Sequence, residues 1–95
     1  MKKLRNRGWY VHAPCVISDI QEDERSVTFT VDGWGGKPYY ILISGINKEP
    51  KDVGVREVRG LSAKALGFKS AGKEFHSEHN YLVITTEGKS EIRIR

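Results

Sequence analysis

The fold is decided first by residues 26–31, which read Ser26-Val-Thr-Phe-Thr-Val31. The two valines and the phenylalanine alternate with the two threonines, and this two-residue period is typical of a β-strand with one buried face. Threonine suits the solvent face of such a strand, because β-branched side chains favour extended backbone. The segment therefore predicts a half-buried strand.

The segment before it predicts the partner strand of a hairpin. Residues 15–20 read Cys15-Val-Ile-Ser-Asp-Ile20, and the charged residues 21–25 lie between the two strands as a loop. Either Val16 with Ile20, or Cys15 with Ile17, could face the core. The sequence leaves the register of this strand open.

Three further stretches predict the remaining inner and edge strands. Residues 8–12 predict a first strand that ends before Pro14. Residues 39–44 are apolar on both faces, which indicates a central strand or one that lends its outer face to a partner. Residues 53–58 contain Gly54 and several charges, which favour an edge strand because they discourage further pairing.

The end of the chain predicts a closing hairpin. Residues 81–86 and 91–95 both alternate in hydrophobicity, with Ile92 and Ile94 inward and Arg93 and Arg95 outward. The connection Glu87-Gly-Lys-Ser90 holds a glycine, which a tight hairpin turn needs where its backbone has positive φ.

Together these segments predict an all-β fold, a two-sheet antiparallel β-sandwich of immunoglobulin-like type with six or seven short strands. A closed five-stranded barrel is the alternative architecture. Residues 60–76 are undecided, and residues 61–66 could form one helical turn or an irregular crossing. We expect residues 1–7 to be a basic leading arm or linker and residues 8–95 to be the sandwich domain.

Charge and cysteine content limit the partners. The net charge is +4, and residues 1–7 supply four basic residues and no acid, which leaves twelve basic and twelve acidic residues in 8–95. This neutral body disfavours nucleic acid as a partner, because phosphate-binding domains carry their positive charge on the folded surface. Cys15 is the single cysteine, so an intrachain disulfide is excluded, and it is interpreted as a small buried side chain.

No targeting or membrane segment is recognisable. The longest apolar runs fall far short of the roughly 20 residues of a membrane span, and the charged start is not followed by a signal-peptide core. We expect no membrane partner. The protein would be secreted if it belongs to a longer exported enzyme, and cytoplasmic otherwise.

The loop Asp32-Gly-Trp-Gly-Gly-Lys-Pro38 is the most informative stretch for function. Its tryptophan lies beside a short acid and is followed by Tyr39 and Tyr40. Exposed aromatic rings of this kind can stack on a sugar or on a base. The predicted ligand-binding residues are therefore Asp32, Trp34, Tyr39 and Tyr40. The alternative is that Trp34 folds back over the open end of the sandwich, where the glycines only permit the turn.

No constellation predicts catalysis, a metal or a cofactor. His76 and His79 have a spacing that metal sites use on helices, but a solvated loop is the better interpretation of this segment. The acidic residues 22–24 could contribute to a calcium site, and a solvated hairpin tip is again preferred. The glycines of the 32–38 loop are not followed by the Ser or Thr of a phosphate-binding loop. We expect a chain that is not an enzyme, with no catalytic residue and no cofactor.

The order of these elements resembles the small C-terminal β-sandwich domains of bacterial glycoside hydrolases. The resemblance is one of pattern, covers most of 8–95, and is carried by residues 7–14, 26–31, 39–45, 49–55 and 80–94. It implies a domain that packs on a catalytic barrel and has no catalytic residue. Some such domains bind polysaccharide, and others only stabilise their neighbour.

The resulting functional hypothesis is a non-catalytic accessory module of a carbohydrate-active enzyme. Its partners would be an upstream catalytic domain or a polysaccharide, the latter contacted through the Asp32–Tyr40 region. One alternative is a small nucleic-acid-binding protein that uses the basic arm with Arg93 and Arg95. Another is a protein-interaction domain that docks through a strand edge or through residues 39–44.

Overall fold

The computed structural model describes residues 1–4, 7–58 and 67–95. Within these ranges the regular structure consists of ten strands: β1 (Lys2–Leu4), β2 (Trp9–His12), β3 (Val16–Glu22), β4 (Val27–Asp32), β5 (Tyr39–Ser44), β6 (Val53–Glu57), β7 (Lys69–Ser70), β8 (Gly72–His76), β9 (Tyr81–Thr86) and β10 (Lys89–Ile94). The described residues contain no helix long and apolar enough to cross a membrane. The residues predicted as a helical turn, 61–66, lie outside the described ranges.

The strands form two antiparallel five-stranded sheets. Sheet 1 has the order β1-β2-β5-β9-β8 and sheet 2 has the order β3-β4-β10-β6-β7. This confirms the predicted all-β, two-sheet antiparallel sandwich, with ten strands instead of six or seven. The rival arrangement, a single closed barrel of five strands, is not what forms.

The core lies between the two sheets and follows the period-two pattern of the sequence. Val27, Phe29 and Val31 of β4 face Ile41 and other aliphatic side chains of sheet 1, and all of these are fully buried. Each such side chain is worth about 1.5–3 kcal/mol of transfer free energy when fully buried. The alternation in residues 26–31 therefore reflects, as predicted, a strand that buries one face.

A β-bulge resolves the open register of β3. The pairing of β3 with β4 shifts between Ser18 and Gln21, and Asp19 in this gap has a φ of 51°. One extra residue reverses the alternation, as bulges do. Cys15 and Ile17 before the bulge and Ile20 after it pack on the core, whereas Val16 is exposed. The register with Cys15 and Ile17 inward is therefore confirmed, and of the other register only Ile20 faces the core.

The predicted closing hairpin is wrong. β9 pairs with β5 and β8 in sheet 1, whereas β10 pairs with β4 and β6 in sheet 2. Residues 87–88 therefore carry the chain from one sheet to the other. Two consecutive strands with alternating apolar side chains have the same sequence pattern whether they pair in one sheet or lie in two facing sheets. The pattern could therefore not distinguish a hairpin from a crossing between sheets.

The prediction that residues 53–58 form an edge strand is also wrong. β6 lies between β10 and β7. Gly54 makes this possible, because a Cβ there would lie 3.0 Å from Cβ of Phe68. The missing side chain lets Phe68 lie against β6 directly before the short strand β7.

The sandwich begins earlier than the expected boundary at Gly8. β1 pairs with β2 at the edge of sheet 1, and Leu4 in β1 is fully buried. Of the leading basic residues, Lys2 and Lys3 thus belong to the sheet rather than to a linker.

Candidate functional site

The predicted aromatic loop, residues 33–38, connects β4 of sheet 2 to β5 of sheet 1. The Tyr39 ring passes directly over Gly33, where a Cβ would lie 2.1 Å from Tyr39 Cζ. The Tyr39 hydroxyl donates a hydrogen bond of 2.6 Å to the carbonyl oxygen of Gly88. The amide of Gly88 donates in turn to the Trp34 carbonyl at 2.6 Å. The loop is therefore fastened to the β9–β10 connection, at one end of the sandwich.

These contacts divide the four predicted ligand-binding residues. Tyr39 is 3% exposed and belongs to the core, while Tyr40 is 66% exposed on the opposite side of β5. Trp34 packs on Tyr39 with ring centroids 4.9 Å apart and remains 46% exposed. Asp32 is exposed at the end of β4. The structure thus places Trp34 against Tyr39 with nearly half of its surface exposed, and it places Tyr40 on the other side of β5.

Cys15 lies beside Tyr39 and is partly buried. Burial raises the pKa of the Cys15 thiol, and the nearby Asp32 carboxylate raises it further, while a hydrogen bond with Tyr39 acts in the opposite direction. Burial likewise raises the pKa of Tyr39. Because the thiolate is the nucleophilic form of cysteine, a raised pKa makes this thiol less reactive.

The outer face of sheet 1 collects side chains that are distant in sequence. Its first row across the strands is formed by Lys3, Tyr10, Ser44, Tyr81 and His76, which are consecutive register partners. The next row is formed by His12, Leu42, Val83 and Glu74, and the third by Tyr40, Thr85 and Gly72. Three of the four tyrosines and two of the three histidines of the chain therefore share this face.

The side chains of the first row are arranged in short stacks. The rings of His76 and Tyr81 are 4.4 Å apart and nearly parallel, and His76 also lies 3.1 Å from Glu74. At the other end of the row, Lys3 Nζ lies 5.7 Å from the centroid of the Tyr10 ring. Between them, Ser44 Oγ is 3.2 Å from Nε2 of His12.

The outer face of sheet 2 has a different character. Arg56 forms an ion pair with Glu91 at 2.5 Å, and Arg93 lies 3.7 Å from Asp52. The guanidinium groups of Arg56 and Arg93 lie 4.5 and 4.3 Å from the ring centroid of Phe68. Around β6 and β10 this face is covered by charges that pair with one another, whereas the outer face of sheet 1 exposes Tyr40 and Leu42 on its central strand.

A cleft of about 830 Å³ lies at the end of the sandwich opposite the aromatic loop. Trp9, Pro50 and Ile94 form apolar parts of its lining, and charged residues surround them. Arg95 donates to Asp52 Oδ2 through Nε at 3.0 Å and Nη2 at 2.6 Å. The Arg95 guanidinium thereby lowers the pKa of the Asp52 carboxyl. The outward arginines proposed for nucleic-acid binding are thus engaged within the protein.

The two candidate metal segments have other roles. Glu22 forms an ion pair with Arg7 at 3.3 Å. Asp23 accepts hydrogen bonds from the backbone amides of Arg25 and Ser26 at 2.7 and 2.8 Å, and these bonds lower its pKa. His79 lies near Tyr81, with centroids 6.2 Å apart. In 1–4, 7–58 and 67–95, no three side chains of His, Cys, Asp or Glu come together as metal ligands would.

Comparisons of the chain with protein-family models, with curated proteins and with solved structures find no significant match. The site must therefore be judged from its own chemistry. Of the residues on the outer face of sheet 1, only Tyr40 was predicted as a ligand-binding residue. Tyr10 and Tyr81 could have been suspected because each precedes an inward aliphatic residue on its strand, which places the tyrosine outside.

Proposed function

We propose that the chain is a non-catalytic β-sandwich module of a carbohydrate-active enzyme, and that it contacts polysaccharide through the outer face of sheet 1. The accessory part of this proposal is supported by the resemblance of the strand pattern to C-terminal domains of glycoside hydrolases. The glycan part is supported by the exposed chemistry of the face itself.

The observation that carries the glycan proposal is the exposure of Tyr40 and Leu42 on the central strand of sheet 1. Large aromatic side chains are usually mostly buried, and a contiguous apolar patch is typical of a binding surface. The neighbouring Thr85 supplies a hydroxyl group. Aromatic faces next to hydroxyl groups suit a sugar, which has apolar C–H faces and a polar rim.

The charges on the face favour a neutral polymer over a nucleic acid. Lys3 and Glu74 are its formally charged residues in the three register rows, and they have opposite signs. Arg93 and Arg95, the cations that a nucleic-acid-binding protein would use, are paired with Asp52. Binding to phosphates needs several cations that release counterions, and the three rows present one, Lys3.

The test is binding of the full chain to a panel of soluble polysaccharides by affinity electrophoresis, with hydroxyethylcellulose, xylan, galactomannan and pullulan as probes. We expect weak binding to one of them, in the millimolar to micromolar range of about −4 to −8 kcal/mol. Tyr40→Ala should reduce this binding about tenfold, since stacking on one ring is worth roughly 1–3 kcal/mol. The control is Val16→Ala, because Val16 is equally exposed, at 67%, on the other sheet.

Two results would count against the proposal. Retardation by none of the four polymers would overturn glycan binding. Binding to single-stranded nucleic acid that falls by orders of magnitude between about 50 and 200 mM salt would favour the nucleic-acid alternative instead. For the accessory assignment, a reading frame that extends upstream of Met1 into a catalytic domain would support it, and a stop codon there would remove it.

A further inference from the structure

The first row of sheet 1 contains a gap between two aromatic rings. Ser44 on β5 is the direct register partner of Tyr10 on β2 and of Tyr81 on β9. Two neighbouring strand spacings place the backbones of the two tyrosines about 10 Å apart. Since serine is small, the space above Ser44 is flanked by the two rings. We call this space the Ser44 slot.

Neighbouring side chains occupy the outer sides of both rings. His76 stacks on Tyr81 from β8, and Lys3 lies over Tyr10 from β1. Among the residues that the structure describes, the ring contacts of Tyr81 are with His76 and His79, and none joins Tyr81 to Tyr10. Ser44 lies between the two tyrosines in the hydrogen-bond register, and no aromatic contact spans the row above it.

We propose that the Ser44 slot binds one pyranose unit of a neutral glycan, a proposal that rests on the glycan-binding function above. The width of the slot is the first argument. The strands that carry the two tyrosines lie about 10 Å apart, which leaves room above Ser44 for one ring that stacks on both tyrosines with carbon atoms about 3.5–4 Å from each. A saturated sugar ring is puckered and carries axial hydrogens, so it is thicker than a flat nucleobase and fills this space better.

The polar floor of the slot is the second argument. Ser44 Oγ and His12 Nε2 lie 3.2 Å apart at the base of the slot, and a hydroxyl group and an imidazole can each exchange hydrogen bonds with sugar hydroxyls. The apolar faces of the sugar would lie against Tyr10 and Tyr81 while its rim meets this floor. A small number of polar groups between aromatic walls is the usual composition of a small-molecule site.

The orientation of the glycan follows from the ends of the row. A chain that enters the slot parallel to the strands extends over Leu42 and toward Tyr40, which lie on the same face of β5. A chain that crosses the strands would instead meet Lys3 and His76, which already cover the outer sides of the two rings. The glycan is therefore expected to follow β5 from Ser44 toward Tyr40.

The test fills the slot without removing either ring. Ser44→Met places an unbranched side chain between Tyr10 and Tyr81, and thioether contacts with aromatic rings are favourable, so the fold should be retained. Ser44→Ala leaves the slot open and removes one hydrogen-bonding group. Ser18→Met is the matched control, because Ser18 is exposed on the outer face of sheet 2. The probe is the polysaccharide of the panel that the wild type binds most tightly.

We expect Ser44→Met to weaken binding at least about tenfold and Ser44→Ala to weaken it roughly two- to tenfold, the range of one lost hydrogen bond. Ser18→Met should bind as the wild type does, and the midpoint of thermal unfolding should confirm that each variant is folded. Wild-type affinity in both Ser44 variants would overturn the slot while leaving glycan binding intact. Absence of wild-type binding to every probe would overturn the proposed function as well. If Ser44→Met does not fold, Ser44→Ala alone decides, and unchanged affinity contradicts the slot.

Discussion

Gly33→Ala is predicted to destabilise the protein strongly because of one side chain, Tyr39. The new Cβ would lie 2.1 Å from Tyr39 Cζ and 2.2 Å from its hydroxyl oxygen, so the ring must move. Movement breaks the 2.6 Å hydrogen bond to the Gly88 carbonyl and disturbs the packing of Trp34 on the ring.

The magnitude is bounded from both sides. Loss of the hydrogen bond alone costs about 0.5–1.5 kcal/mol. Complete loss of a buried aromatic side chain costs about 3–5 kcal/mol. Because the ring is displaced but not removed, we expect the free energy of unfolding to fall by about 2–4 kcal/mol, a large share of the roughly 5–15 kcal/mol of a typical domain.

Urea unfolding measures this change, and the chain offers a matched control in the same loop. Gly35→Ala meets no atom within 4 Å, so its effect should stay within about 0.5 kcal/mol. With a slope of about 1 kcal/mol per molar urea, Gly33→Ala should lower the midpoint by roughly 2–4 M. Equal midpoints for the two variants would refute the reasoning.

A double-mutant cycle then assigns the effect to the ring. In a Tyr39→Ala background the three atoms nearest to the Cβ at position 33 are gone, since all belong to the Tyr39 side chain, so Gly33→Ala should add little further cost. The coupling free energy should therefore approach the whole effect of the single substitution. Additive effects would mean that the backbone of Gly33, and not the Tyr39 ring, is responsible.

Three further predictions concern the leading strand, pH and the thiol. Leu4→Ala should lower the free energy of unfolding in urea by about 2–5 kcal/mol because Leu4 is fully buried, whereas Met1→Ala should be near neutral. Equal effects of the two substitutions would show that β1 does not unfold together with the rest of the sandwich. The lowered pKa of Asp52 means that its contribution is present above the ordinary aspartate pKa of about 3.9 and is lost as pH falls through the lower folded value. The stability difference between the wild type and Asp52→Asn should thus shrink below about pH 4, and a constant difference would contradict this. Cys15, whose pKa is raised by burial, should react with iodoacetamide more slowly in the folded protein than in urea, and equal rates at neutral pH would contradict this.

Strand position and inward face could be predicted where side chains alternate strictly. Residues 26–31 and the isoleucines of β10 face the core as expected, because alternation is a local property of extended backbone. β3 departs from this only at Asp19, where positive φ accompanies the extra residue of a bulge. Aspartate tolerates that conformation better than most residues, and this is the only local signal of the bulge.

Sheet membership could not be predicted from the same pattern. β9 and β10 are adjacent in sequence, and Gly88 between them has a φ of 70°, which a tight hairpin would also use. The distinguishing feature is the buried pair of Thr86 and Ser90, whose hydroxyl groups are 3.0 Å apart. These groups bond to each other where the chain leaves one sheet for the other, and nothing local to the sequence indicates that they are buried together.

The candidate site shows the same limit more sharply. Trp34, Tyr39 and Tyr40 are close in sequence, but the alternation of β5 sends Tyr39 into the core and Tyr40 to solvent. Because these residues are close in sequence, the sequence suggested one shared site. The geometry of the strand instead puts Tyr39 and Tyr40 in two different environments. The contacts that the structure shows for the aromatic loop join it to the end of the sandwich.

The Ser44 slot, in contrast, takes its parts from separate segments, and only the hydrogen-bond register of β2, β5 and β9 brings Tyr10, Ser44 and Tyr81 into line. These side chains are carried by neighbouring strands of a packed sheet, whose backbone is already ordered. A ligand that enters the slot would therefore not have to order the backbone. Substitution of outward Ser44 should therefore change affinity with little effect on unfolding. Substitution at Gly33 should do the reverse, since it acts on the core side of the fold. The two effects should separate because Ser44 lies on the outer face of β5, where a ligand would bind, whereas Tyr39, which contacts Gly33, lies on its core side.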